Sequence, residues 1–238
     1  MLRDSKYRES DRILTVLTEH EGKITVRARA AKSNSSRYKA AVQHLAFSEM
    51  TLFGYRGRWS LNEAETIEQF LGLREDLGAL ALASYIAELL EALSDEDTPN
   101  VDLLRLGLNA LYSLSYGLSP QAIVKAASEL RLMCLAGYEP QLDICTRCGR
   151  ADFSQAFFDP EEAELVCGEC RGPGEDLLPL CEGSLAAMRH IAGAEIKRVL
   201  SFKLEPDASA RLGAVTERYV AERLERGFGT LDYWKRLT

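Results

Sequence analysis

Lys23-Ile24-Thr25-Val26-Arg27-Ala28-Arg29-Ala30 alternates without a break. Successive side chains of an extended chain point to opposite faces, so Ile24, Val26, Ala28 and Ala30 share one side and Lys23, Thr25, Arg27 and Arg29 the other. One face reads as core, the other as cationic. Immediately upstream, residues 13–18 are rich in β-branched side chains and Glu21-Gly22 supplies a turn, which predicts a hairpin over residues 12–30. Downstream, after the polar loop Lys32-Ser33-Asn34-Ser35-Ser36-Arg37, strands are expected at residues 46–53 and 57–65, joined across Gly54-Tyr55-Arg56-Gly57. The first sixty-odd residues are therefore expected to be β-rich.

Charge singles out the same region. The 238-residue chain carries a formal net charge of −7, which argues against indiscriminate binding to nucleic acid, yet residues 1–60 hold a balance of +6 and the remainder −13. No carboxylate lies between Glu21 and Glu49, whereas Lys23, Arg27, Arg29, Lys32, Arg37 and Lys39 all fall in that gap. These six are the candidate nucleic-acid-binding residues. Tyr7, Tyr38, Tyr55 and Trp59 could stack on bases, although a purely structural place in the core or at its rim is an equal reading for each.

Beyond residue 66 the period changes. Residues 73–93 place apolar side chains three and four apart and end in Asp95-Glu96-Asp97. Thr98-Pro99 and Ser119-Pro120 each read as an N-cap before a first-turn proline, starting helices that run to about Tyr116 and Ala136. Residues 182–191 and 208–226 again read as helices. The apolar stretches are broken by Ser84, Glu88 and Glu91 and fall short of a membrane span, and the N-terminus has no apolar secretory segment, so a cytoplasmic protein without membrane association is expected.

Cys145-Thr146-Arg147-Cys148-Gly149 is followed by Cys167-Gly168-Glu169-Cys170, with eighteen residues between Cys148 and Cys167. A double C-x-x-C at this spacing is that of a zinc ribbon: two residues between thiolates let both sulfurs reach one ion near 2.3 Å, and two such knuckles complete a tetrahedron. A closed shell of four cysteines leaves no position for a reacting water, so one structural Zn2+ is expected, with metal binding coupled to folding. A dithiol redox pair or disulfides fit the pattern less well. Cys134 reads as a small buried hydrophobe, and Cys181 lies just past Gly172-Pro173-Gly174, from where it could approach the ion. His20, His44 and His190 belong to no catalytic or metal motif, and no phosphate loop, H-E-x-x-H or G-x-S-x-G occurs. The expectation is a protein that is not an enzyme.

A basic β-rich start, a helical body and a four-cysteine insert together resemble the RecO family of bacterial DNA repair proteins. The resemblance is carried by Tyr7-Arg8-Glu9-Ser10-Asp11-Arg12-Ile13-Leu14-Thr15, by His20-Glu21-Gly22-Lys23, and by Glu63-Ala64-Glu65 in the N-terminal part. In the body it is carried by Phe70-Leu71-Gly72-Leu73-Arg74-Glu75-Asp76-Leu77, by Ala83-Ser84-Tyr85, by Glu129-Leu130-Arg131-Leu132 to Gly137-Tyr138-Glu139-Pro140, and by the paired C-x-x-C motifs. It implies an α+β fold: an OB-fold β-barrel over residues 1–66, a helical domain over 67–144 and 171–238, and an inserted four-cysteine zinc module over 145–170. Family members usually begin with an extra strand ahead of the segment equivalent to Leu2-Arg3-Asp4, so either the start assigned to this chain is late or its barrel lacks part of the first strand.

The resemblance further implies binding to single- and double-stranded DNA and annealing of complementary strands. It implies work with RecR and with the C-terminal tail of single-stranded-DNA-binding protein, which indirectly helps RecA load, in a bacterial, nucleoid-associated setting. Independently of the resemblance, OB barrels bind nucleic acid through a cationic face and exposed rings. A zinc-ribbon scaffold that assembles partners without touching DNA is the alternative, in which the basic strand is only a solvated face.

Overall fold

The computed structural model describes residues 1–7, 9, 11–29 and 38–238. The chain divides into two compact units, one of residues 1–118 with 229–238 and one of residues 119–228.

The first unit opens with five strands: β1 (Arg3–Tyr7), β2 (Asp11–Leu17), β3 (Lys23–Ala28), β4 (Phe47–Tyr55) and β5 (Arg58–Glu68). They form one sheet in the order β1-β2-β3-β5-β4, antiparallel except for the parallel β3–β5 pair. The alternation in β3 is kept: Ile24, Val26 and Ala28 join Leu14, Val16, Val42 and Leu61 in the core, with Met50, Leu52 and Trp59 packed against them, while Thr25 and Arg29 are exposed. Ala30 lies outside the described residues. β1 and β4 are the sheet's edges, so among the described residues the strands form an open sheet and not a barrel closed by pairing. The edges meet at one place: Leu45 donates its amide to the Met1 carbonyl (3.0 Å), and the Met1 amine donates to the Ala46 carbonyl (3.0 Å).

Two turns fix this sheet. Gly22 has φ +67°, and a Cβ there would lie 2.3 Å from the Thr98 carbonyl oxygen, so the β2–β3 turn admits only glycine. At the β4–β5 tip Arg56 (φ 49°) and Gly57 (φ 71°) both take left-handed backbone, the geometry of a type I′ turn, whose twist matches that of the flanking strands.

A 3-10 turn at Leu71–Arg74 leads to α1 (Leu77–Leu93) and α2 (Val101–Ser115). Asp76 and Asn100 cap these helices by accepting from the Ala79 and Leu103 amides. The N-cap of α2 is thus Asn100 and not Thr98: the Asn side chain accepts from an N3 amide that would otherwise lack a partner, while the Thr98 hydroxyl turns back to the Glu96 carbonyl. The first unit is completed by the chain's last helix, α6 (Gly229–Lys235), which buries Leu231 and Trp234 and whose Thr230 hydroxyl donates to Glu88 of α1 at 2.7 Å.

The second unit holds α3 (Gln121–Leu135), α4 (Glu182–Gly193) and α5 (Pro206–Leu224). Pro120 itself occupies the N-cap of α3, one position later in role than the Ser119-Pro120 reading placed it. Between α3 and α5 sits a buried polar knot. The Lys125 ammonium reaches Glu129 (2.9 Å) and Glu217 (3.0 Å), and the Thr216 hydroxyl donates to Glu129 (2.6 Å). Between α3 and α4 the chain builds a four-stranded sheet from β6 (Gln141–Cys145), β7 (Ala156–Asp159), β8 (Glu164–Cys167) and β9 (Leu178–Leu180), in the order β6-β8-β7-β9. No helix among the described residues is long and apolar enough to cross a membrane.

Candidate metal centre and nucleic-acid face

The small sheet exists to present sulfur. β6 ends on Cys145 and β8 on Cys167, and β6 and β8 are parallel neighbours, so two strand ends deliver two sulfurs to one point. Past each end the chain folds into a tight knuckle. Gly149 (φ 74°) donates to the Cys145 carbonyl at 2.8 Å, and Cys145 donates to the Arg150 carbonyl at 2.8 Å, which turns Cys148 back beside Cys145. On the other side the amides of Cys170 and Arg171 both reach the Cys167 carbonyl, at 3.0 and 3.1 Å. The four sulfurs lie within 4.8 Å of one another, with Cys148 and Cys167 3.8 Å apart. A tetrahedron with sulfurs about 2.3 Å from its centre has edges of about 3.8 Å, so this set has the dimensions of a metal site.

Its electrostatics ask for a cation. Burial pushes the Cys145 thiol up, but backbone amides of Cys167, Cys148 and Arg147 outweigh it and hold the thiol down at about 6; the Cys167 amide donates to its sulfur at 3.3 Å. Cys170 is pushed up to about 12 by the neighbouring sulfurs of Cys148 and Cys167. Four thiolates at this distance repel one another unless a positive ion sits among them. The residues fit a metal ion of the thiophilic kind, and Phe157, Val166 and Leu177 give the module a small core on which Cys170 packs. Cys181 is not part of the set: it stands at the N-cap of α4, where its amide donates to the Ser184 hydroxyl at 2.9 Å. Cys134 is half-buried in α3, and burial pushes its thiol up to about 12, as for an inert packing residue.

The six candidate cations of the N-terminal part divide into three groups. Lys32 and Arg37 lie outside the described residues. Lys23 and Arg27 are engaged within the protein. The Lys23 ammonium donates to the Glu91 carbonyl near the C-terminal end of α1 (2.8 Å), where helix carbonyls gather negative charge. Arg27 grips Asp11 through Nε (3.1 Å) and Nη2 (2.6 Å) and lies 5.4 Å from the Tyr7 ring centroid. Arg29 and Lys39 are exposed. The sequence-based reading missed Arg56 and Arg58, both exposed at the β4–β5 tip; their signal was present as two arginines flanking the turn glycine. The first unit also contains a cavity of about 750 Å³ between the sheet and α1 and α2, lined by Trp59, Leu104, Leu108 and Leu111 and bordered by Glu19, Glu21 and Glu49.

Comparison with known families accounts for both parts of the chain. Residues 1–70 match the model of the recombination protein O N terminal domain, and residues 74–232 match that of the C terminal domain. The chain belongs to the RecO family. Among relatives, the DNA repair protein RecO of Acetivibrio thermocellus is 33% identical over 96% of this chain and 91% of its own length. That of Symbiobacterium thermophilum is 30% identical over 98% and 93%, and that of Alkaliphilus metalliredigens 28% identical over 100% and 97%. RecO membership makes this a DNA repair protein, and the four-cysteine set falls inside the C-terminal match.

Proposed function

We propose that the chain is a DNA-binding recombination mediator that anneals complementary single strands and, with RecR, helps load RecA onto DNA coated by single-stranded-DNA-binding protein, itself catalysing no reaction. The observation that carries this reading is the pair of exposed cations beside β3, Arg29 and Lys39, within a chain that matches the RecO models along nearly its whole length. The strand order, with its parallel β3–β5 pair and the Met1 hydrogen bonds joining the sheet's edges, supports an OB-fold barrel over residues 1–66 as the DNA-binding element. In it Arg29 and Lys39 contact phosphate, joined by Lys32 and Arg37, while Lys23 and Arg27 shape the face from within.

The four cysteines hold one Zn2+ in a structural role. The tail of single-stranded-DNA-binding protein is acidic and ends in an apolar side chain and a carboxylate, so it needs an apolar pocket rimmed by Lys or Arg. The helical body over residues 67–238 is where such a pocket is expected, because helix packing can supply an apolar groove. Annealing of complementary strands, followed with and without protein from low to moderate salt, tests the whole reading. Acceleration that fades as salt rises is the expected result. A protein that neither binds nor anneals DNA at low salt would instead be a zinc-ribbon scaffold for other proteins.

A further inference from the structure

The β4–β5 hairpin holds two rings where an ordinary hairpin would hold polar side chains. Phe53 and Tyr55 are 63% and 60% exposed. They stand two residues apart on β4 and so share its outer face, opposite Ser60 and Arg58 of β5. The inner face of the same hairpin already has its aromatic: Trp59 packs on the core and lies over Gly54, where a Cβ would come within 2.9 Å of the indole.

Cations surround these rings. The Arg56 guanidinium lies 5.2 Å from the Tyr55 ring centroid, and Arg58 is the cross-strand partner of Tyr55. Arg56 holds a left-handed turn position that glycine or asparagine occupies at little cost and arginine does not. The hairpin is also continuous with the cationic strand. Arg27 of β3 is in register with Ser60 of β5, and Ser60 with Phe53 of β4, so one row across the outer face reads cation, small side chain, exposed ring. With strands about 4.8 Å apart, that row spans about 10 Å.

A cationic track beside exposed rings is how proteins hold unpaired nucleic acid: the track follows phosphates and the rings stack on bases of any identity. We propose that Phe53 and Tyr55, flanked by Arg56 and Arg58, form a base-stacking platform for single-stranded DNA at the end of the β3 face. The proposal rests on the DNA-binding reading above and adds where and by what chemistry a single strand is told from a duplex, whose bases are already stacked on each other.

The test uses the full chain and fluorescence anisotropy at low salt with three probes of about sixteen nucleotides, the upper end of what such sites cover: oligothymidylate, an abasic strand with the same phosphates, and a duplex. The native protein is expected to bind oligothymidylate at least about tenfold more tightly than the abasic strand. The double variant Phe53→Ala/Tyr55→Ala brings oligothymidylate down to the abasic level and leaves abasic and duplex binding unchanged, while Tyr55→Phe, which keeps the ring, retains the preference. Arg56→Gly raises the melting temperature yet weakens both single strands. An equal loss on all three probes, or no loss on oligothymidylate, overturns the platform; if Arg29→Glu still abolishes binding, the DNA face stands without it. A native protein that binds none of the probes overturns the DNA-binding reading and the platform together.

Discussion

Arg27 lies on β3 and Arg29 in the turn just after it, two residues apart, yet their surroundings differ. Arg27 spends its guanidinium on Asp11, whose side chain is only 11% exposed, whereas Arg29 is exposed. Charge-assisted hydrogen bonds to a half-buried group are worth about 1.5–3 kcal/mol. Arg27→Ala is therefore expected to lower stability by about that amount, measured by urea melts, and Arg29→Ala to leave stability within about 0.5 kcal/mol while weakening DNA binding. The opposite assignment of effects would remove the distinction. His44, in the turn before β4, has its ring pKa lowered from 6.5 chiefly by burial, beside the Ser84 hydroxyl at 3.3 Å. A depressed histidine pKa means that the unfolded state takes up the proton first. Stability is then fully present above pH 6.5 and is lost as pH falls through the folded value. Melts at pH 7.5 and 5.5 should show this loss, and His44→Gln should flatten it.

At the level of elements, the two knuckles and the strands that carry them form a device too small to stand without its ion. Cys148→Ser, or chelation, is expected to release the metal and loosen residues 141–180, with most helical circular dichroism at 222 nm retained because α3, α4 and α5 have their own packing. Metal analysis of the native protein should give one zinc per chain, and an unchanged zinc content in Cys148→Ser would sink the assignment. The knot between α3 and α5 makes a second prediction. Lys125→Met leaves the buried Glu129 carboxylate without its cation and is expected to cost about 3–5 kcal/mol, while Lys125→Met/Glu129→Leu recovers much of that loss.

Much of this scale was legible in the sequence. Period-two alternation gave β3, three-and-four spacing gave α1 and α5, and the C-x-x-C pairs gave the sulfur cluster. Three features were not. Asp11 meets Arg27 across sixteen residues of sequence, and Lys23 meets Glu91 across sixty-eight. Nothing local marks a partner that distant. β7 and β9 are four and three residues long, too short for a period to show.

Over the whole molecule, the charge division decides how DNA binding responds to salt. Charges beyond a Debye length, about 8 Å at physiological ionic strength, are largely screened, so a local cationic face can attract DNA despite the net −7. If about five cations contact single-stranded phosphates, affinity should fall with salt at a log–log slope of about −3.5, taking about −0.7 per contact. Arg29→Glu/Lys39→Glu should flatten the slope and abolish annealing, and Cys148→Ser should leave it nearly intact. A zinc variant that loses DNA while the double Glu variant keeps both affinity and slope would move the DNA site to the metal module.

The first unit is not finished when its sheet is. It includes α6, so in the chain residues 119–228 are inserted between two pieces of one folding body, and the piece that completes it is made after them. Units that are continuous in the chain fold in the order they are made. Here the face read as the DNA-binding one belongs to a body that cannot be completed until the whole intervening unit has been synthesised. A chain cut short before α6 leaves the Leu231 and Trp234 contacts unmade, so truncation there is expected to weaken the first unit as a whole rather than trim an end from it.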